Sequence, residues 1–83
     1  MVITKDDSSL AQILQEARGT RSKYAVAKAT GISHGNLFGM EQGTRFPSAR
    51  TLNALCSLYG IDFEAAVLAM TRDKLRRAGG MHP

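Results

Sequence analysis

Between Gly31 and Gly43 the chain reads GISHGNLFGMEQG, with a glycine at every fourth position: Gly31, Gly35, Gly39 and Gly43. Interleaved with them are His34, Asn36 and Gln42, which can donate and accept hydrogen bonds, and Phe38, which offers an apolar ring. Around this stretch lie Arg18, Arg21, Lys23, Lys28, Arg45 and Arg50, with Glu41 as the single acid of residues 18–50. Side chains able to touch base edges, set in the most cationic third of a chain of net charge +4, point to a polyanionic partner, usually nucleic acid. A solvated basic surface has the same composition, so charge alone does not decide between the two.

Other chemistries find little support. One cysteine, Cys56, and two histidines, His34 and His82, are too few for a zinc site, and no catalytic or cofactor-binding set stands out. Neither Gly39 nor Gly43 is followed by lysine, so the glycines do not form a phosphate-binding P-loop. A glycine-spaced membrane helix would need an apolar stretch of about 20 residues, which Ser33, His34, Asn36, Glu41 and Gln42 exclude. The lone cysteine rules out an internal disulfide and fits a reducing compartment. Residues Met1–Asp7 lack the apolar core of a secretion signal. The expectation is a soluble cytoplasmic binding protein without metal, cofactor or enzymatic activity.

The elements that position these side chains are helices. Ser9 followed by Gln12, with Leu10, Ile13, Leu14 and Ala17 on one face, predicts a first helix ending at Gly19. A second begins at Ser22, buries Val26 and Ala27, and stops before Gly31. A third opens at Ser33 and closes before Gly43, with Leu37 and Met40 as its apolar pair. Pro47 keeps Phe46 out of helical geometry, which makes residues 43–47 a loop. Leu52, Leu55, Cys56 and Tyr59 mark a fourth helix starting near Ser48 and ending at Gly60. Asp62 caps a fifth that carries Phe63, Ala66, Val67 and Met70. The prediction is an all-α, compact five-helix domain over residues 1–78, with a disordered tail over 79–83.

At about 100° per residue, Ser33, Leu37, Met40 and Glu41 fall on one side of the third helix and Gly35 and Gly39 on the other. A glycine inside a helix costs about 1 kcal/mol relative to alanine. The two interior glycines therefore call for a return, and bare backbone for close approach to a groove supplies one. Gly31 and Gly43 differ from them as turn and cap. His34, Asn36, Phe38 and Gln42 flank the bare stripe, as candidates for base edges or thymine methyls. His34 as a solvated polar residue and Phe38 as part of a broad core face remain the alternatives.

Residues 22–47, SKYAVAKATGISHGNLFGMEQGTRFP, resemble the helix-turn-helix of the lambda-repressor-like, Cro-like family. The matching positions are small Ala27, turn Gly31, apolar Ile32, Ser33 opening the recognition helix, Leu37, Met40, and Glu41-x-Gly43 before Pro47. The likeness extends over about residues 9–70. It implies a recognition helix in the DNA major groove, with base contacts near His34, Gly35, Phe38 and Gly39 in addition to Asn36 and Gln42. Two of the family's polar reading positions are glycine here, which shifts weight toward DNA shape and flanking contacts. The resemblance also places a phosphate at the start of the second helix, at Ser22 and Lys23. Ser33, Arg45, Arg21, Lys28 and Arg50 are further phosphate candidates, with Arg45, in the loop after the recognition helix, placed either to follow the backbone or to enter a minor groove. Glu41 is expected to pair an arginine across helices, with Arg18 as the partner.

Leu68 and Leu75 lie seven apart, beyond what a monomer core needs, so they and Phe63 are candidates for a homodimer interface; Leu68 as a widening of the core face is the alternative. Arg72, Lys74, Arg76 and Arg77 read either as a solvated face or as flanking DNA contacts. The resulting expectation is a homodimeric regulator of double-stranded DNA that acts by occluding a promoter or by contacting RNA polymerase. A protein-interaction module, such as an antitoxin or anti-activator, is the competing expectation.

Overall fold

A computed structural model describes residues 9–80, which form five α-helices: α1 (Leu10–Arg18), α2 (Lys23–Thr30), α3 (His34–Gln42), α4 (Ala49–Tyr59) and α5 (Phe63–Gly80). The starts follow from side-chain chemistry. The hydroxyls of Ser9, Ser22, Ser33 and Ser48 each accept a hydrogen bond from the backbone N–H three residues on, at 3.0–3.2 Å. The Asp62 carboxylate does the same for Ala65 at 2.9 Å. Each such cap satisfies an N–H that the helix cannot, a contribution of about 1 kcal/mol. The bend between α2 and α3 needs a left-handed residue, and Gly31 supplies it at φ 78° without the clash a Cβ would bring.

The helices close around Leu10, Leu14, Val26, Ile32, Leu37, Met40, Leu52, Leu55, Cys56 and Ala66, with Ala27, Tyr59, Phe63, Val67 and Met70 packed against them. In this arrangement α1 lies on α3 and α5, α2 on α3 and α4, and α4 on α5. Ile32, next to the Gly31 turn, is part of this core. Burial pushes the Cys56 thiol above its ordinary range, and nearby Asp62 adds to the effect. That keeps the sulfur protonated as a small core side chain.

Two features differ from the sequence-based expectation. The helix α5 continues through Gly79 and Gly80, where the sequence predicts a tail, and residues 81–83 lie outside the described residues, as do Met1–Asp7. The far end of α5 is also tied down. One oxygen of Asp73 accepts the Leu10 N–H at 2.8 Å and so helps to cap α1, while the other accepts from Arg76 at 3.1 Å. The Arg77 guanidinium donates to the Gly43 carbonyl, and both Lys74 and Arg77 lie over the Phe46 ring, at 5.4 and 5.0 Å from its centroid. Lys74 and Arg77 thus brace the loop after α3, while Arg76 pairs with Asp73 on its own helix, so the three are more than a solvated face.

Candidate nucleic-acid interface

The inward side of α3 fixes its position. Leu37 and Met40 enter the core. Glu41 is 4% exposed and receives two hydrogen bonds from Arg18, Nε to Oε2 at 2.8 Å and Nη2 to Oε1 at 2.9 Å. This two-pronged pair joins the last residue of α1 to α3, as expected, and the bonds to Glu41 raise the Arg18 guanidinium above its already high ordinary range. The Gln15 amide adds a bond to the Glu41 carbonyl, and Arg18 Nη1 donates to the Arg21 carbonyl at 2.7 Å. A carboxylate this deeply buried is tolerable because its charge is paired and its oxygens are satisfied.

The outward side carries His34, Gly35, Asn36, Phe38 and Gln42, all exposed. Phe38 is 54% exposed, which settles the choice between core and surface in favour of surface. Lys23 lies 5.4 Å from its ring centroid. A second aromatic on α2, Tyr24, joins this face: its ring sits 6.1 Å from that of His34 and 5.7 Å from the Lys28 ammonium. Sequence reasoning missed Tyr24. The signal was available, because Tyr24 lies off the Val26–Ala27 face of α2. Tyr24, His34 and Phe38, alternating with Lys23 and Lys28, make a cation-flanked aromatic ridge across α2 and α3.

Gly39 requires a correction. It does not lie bare beside Gly35; it is buried. Residues 44 and 45 fold back over it: the N–H groups of Thr44 and Arg45 donate to the Gly39 carbonyl at 2.9 and 3.2 Å, and the Thr44 hydroxyl does so at 3.2 Å. The Arg45 side chain crosses the glycine so closely that a Cβ there would sit 2.7 Å from Cδ and 2.9 Å from Cγ. A Cβ added at Gly35 would meet no other part of the molecule within 4 Å, so the close-approach argument retains Gly35 and loses Gly39.

Of the residues expected to contact phosphate, Lys23 is partly buried beside Phe38. Ser22 and Ser33 are exposed, and each accepts from its helix while its own O–H stays available as a donor. Lys28, Arg45 and Arg50 are exposed. Arg21 is exposed too, yet it leans 5.5 Å over the Tyr59 ring. Of the residues expected at a dimer interface, Leu68 and Leu75 are 58% and 67% exposed, whereas Phe63 packs against the chain's own core. Among the described residues no cluster of His, Cys, Asp or Glu could hold a metal ion, and no helix is long and apolar enough to cross a membrane.

A family model described as a helix-turn-helix domain matches residues 9–70, which run from the cap of α1 into α5. Searches of curated proteins and of solved structures returned no significant match. With the match spanning most of the chain, and with α2, the Gly31 turn and α3 in the arrangement that gives the family its description, the chain belongs to the helix-turn-helix domain family.

Proposed function

We propose that the protein is a sequence-specific DNA-binding transcriptional regulator that docks α3 in the major groove and binds inverted repeats as a homodimer. The observation that carries this reading is the outward side of α3. His34, Gly35, Asn36, Phe38 and Gln42 are exposed together, while Leu37, Met40 and Glu41 anchor the same helix rigidly from behind. His34, Asn36 and Gln42 supply donors and acceptors for base edges, and Phe38 supplies an apolar face for a thymine methyl. Lys23, Lys28 and Arg50, with the hydroxyls of Ser22 and Ser33, would hold the flanking phosphates and set the register.

Two copies joined through Leu68 and Leu75 would present two α3 helices to half-sites about 34 Å apart. The likeness to lambda-repressor-like and Cro-like proteins supports an autoregulatory switch. Occlusion of a promoter is its simplest action, and contact with RNA polymerase is compatible with the same surface. The exposed rings of Tyr24 and Phe38 favour a second reading, a protein-interaction module such as an antitoxin or anti-activator. Salt separates the two, since every phosphate neutralised by a cationic side chain steepens the fall of log affinity with log salt by roughly one unit.

The test is a mobility-shift assay on genomic fragments at two salt concentrations, with the mass of free and bound protein measured by light scattering. Retention of particular fragments by dimers, falling steeply with salt, is the expected result. A protein that retains no duplex at low ionic strength would overturn the reading.

A further inference from the structure

Four arginines near the candidate interface are already engaged. Arg18 is held by Glu41, Arg21 by the Ala17 carbonyl and the Tyr59 ring, Arg76 by Asp73, and Arg77 by the Gly43 carbonyl and the Phe46 ring. Arg45 is different. Its stem is fixed against Gly39 and its backbone N–H is bonded to the Gly39 carbonyl, yet the residue is exposed, and its guanidinium has no hydrogen-bond, ion-pair or aromatic partner among the described residues. A stem held in place with a free planar head is preorganised for a ligand, because much of the rotamer entropy of a long side chain is already lost.

The direction of that stem matters. Gly35 and Gly39, four apart, share one side of α3. Arg45 crosses that side of α3 at Gly39 and leaves it uncovered at Gly35, where an added Cβ would meet nothing within 4 Å. Together with Met40 and Phe46 it lines two clefts, one shared with Asn36, Ser48 and Thr51 and the other with Gln42, the start of α1 and the Asp73–Arg77 stretch of α5. Asn36 and Gln42 are themselves on the exposed side of α3, so Arg45 stands between two base-reading candidates.

We propose that Arg45 is a specificity-determining residue of the DNA-reading surface, with its guanidinium taking a guanine edge in the major groove, and that Gly39 is the positioning residue that seats it. Arginine is the side chain best matched to guanine, because its fork donates to O6 and N7 together. The assignment rests on the DNA-binding reading above and replaces the phosphate or minor-groove role that loop position alone gives Arg45. It also supplies the return for Gly39: the missing Cβ makes room for a reading group that arrives from the next loop.

The experiment selects duplexes from a random library with the full-length protein, then measures affinity for the enriched duplex and its single-base variants. Wild type is compared with Arg45→Ala, Arg45→Lys, Gly39→Ala and the double variant Gly39→Ala/Arg45→Ala, with thermal melts confirming that each is folded. Wild type is expected to prefer guanine at one position per half-site, and to lose affinity when 7-deazaguanine removes N7 there. Arg45→Ala should flatten that preference by between about fivefold and a hundredfold and become indifferent to 7-deazaguanine. Arg45→Lys, which keeps the charge but not the fork, should keep the salt slope and lose the preference. Gly39→Ala should flatten it as well, and should add nothing in the Arg45→Ala background.

Uniform weakening by Arg45→Ala on every duplex, with the base profile intact and the salt slope lower by about one unit, would make Arg45 a phosphate contact and overturn the proposal. An effect of Gly39→Ala that is undiminished in the Arg45→Ala background would overturn the positioning role. Enrichment of no duplex by wild type would overturn the DNA-binding reading itself, a result distinct from either.

Discussion

The two sides of α3 are built on opposite plans. On the inner side Leu37, Met40 and Glu41 are buried, and the strong polar contacts of Glu41 run to another helix. On the outer side there is open space for a Cβ at Gly35, the Phe38 ring has the Lys23 ammonium beside it, and His34 faces the Tyr24 ring. One helix of nine residues therefore carries a fixed face and a free face. The difference teaches that the helix's anchorage and its outer surface can be changed separately, since the groups that hold it are not the groups it offers.

The largest effect expected from breaking that division is on the inner side. Leu37→Ala should lower unfolding free energy by about 3–5 kcal/mol, the range for a fully buried leucine whose cavity cannot collapse, measured by urea denaturation. Glu41→Gln should cost about 3 kcal/mol, because it leaves Arg18 without its counter-charge. The figure sits at the low end for a broken buried pair, since the Arg18 side chain keeps 20% of its surface in water. If the Glu41 variant melts with the wild type, the inner face does not anchor the helix.

On the outer side the signs change. Gly35→Ala should raise stability by about 0.5 kcal/mol, as Gly35 has room for a methyl and helical backbone to gain from it. The same variant should bind DNA more weakly if bare backbone meets the groove at that point. Unchanged or tighter binding would rule out close approach there. Smallest of all on stability, Phe38→Ala should shift it by no more than about 0.5 kcal/mol. A loss of affinity that disappears when thymine is replaced by uracil in the selected duplex would assign its ring to a methyl group.

Much of this division was legible in the sequence. Serine at the four helix starts and glycine at the ends act through bonds within a few residues, so local chemistry sets those boundaries. The angular spacing along α3 sorts Leu37 and Met40 from Gly35, and the Glu41–Arg18 pair follows from the family pattern. Gly39 escapes that logic for a physical reason: angular spacing treats the helix as a free rod and cannot show that residues 44 and 45 return across it. Tyr24 escapes a reading centred on α3, because the aromatic ridge is shared with α2. The bonds from Asp73 to Leu10 and from Arg77 to Gly43 join residues 63 and 34 positions apart, beyond any periodicity in the chain. The length of α5 is underestimated because Gly79 and Gly80 read as a stop.

The grip of α5 on the loop behind α3 has a mechanical consequence. The rod that displays Leu68 and Leu75 also grasps the trailing end of α3, through Arg77 on Gly43. Two such rods laid together would act as a ruler, converting their own alignment into the separation of the two helices they hold. A slip of one helical turn between them moves the readers by about 5.4 Å, more than the rise of one base pair, so a correct spacing of half-sites would be enforced far from the bases being read.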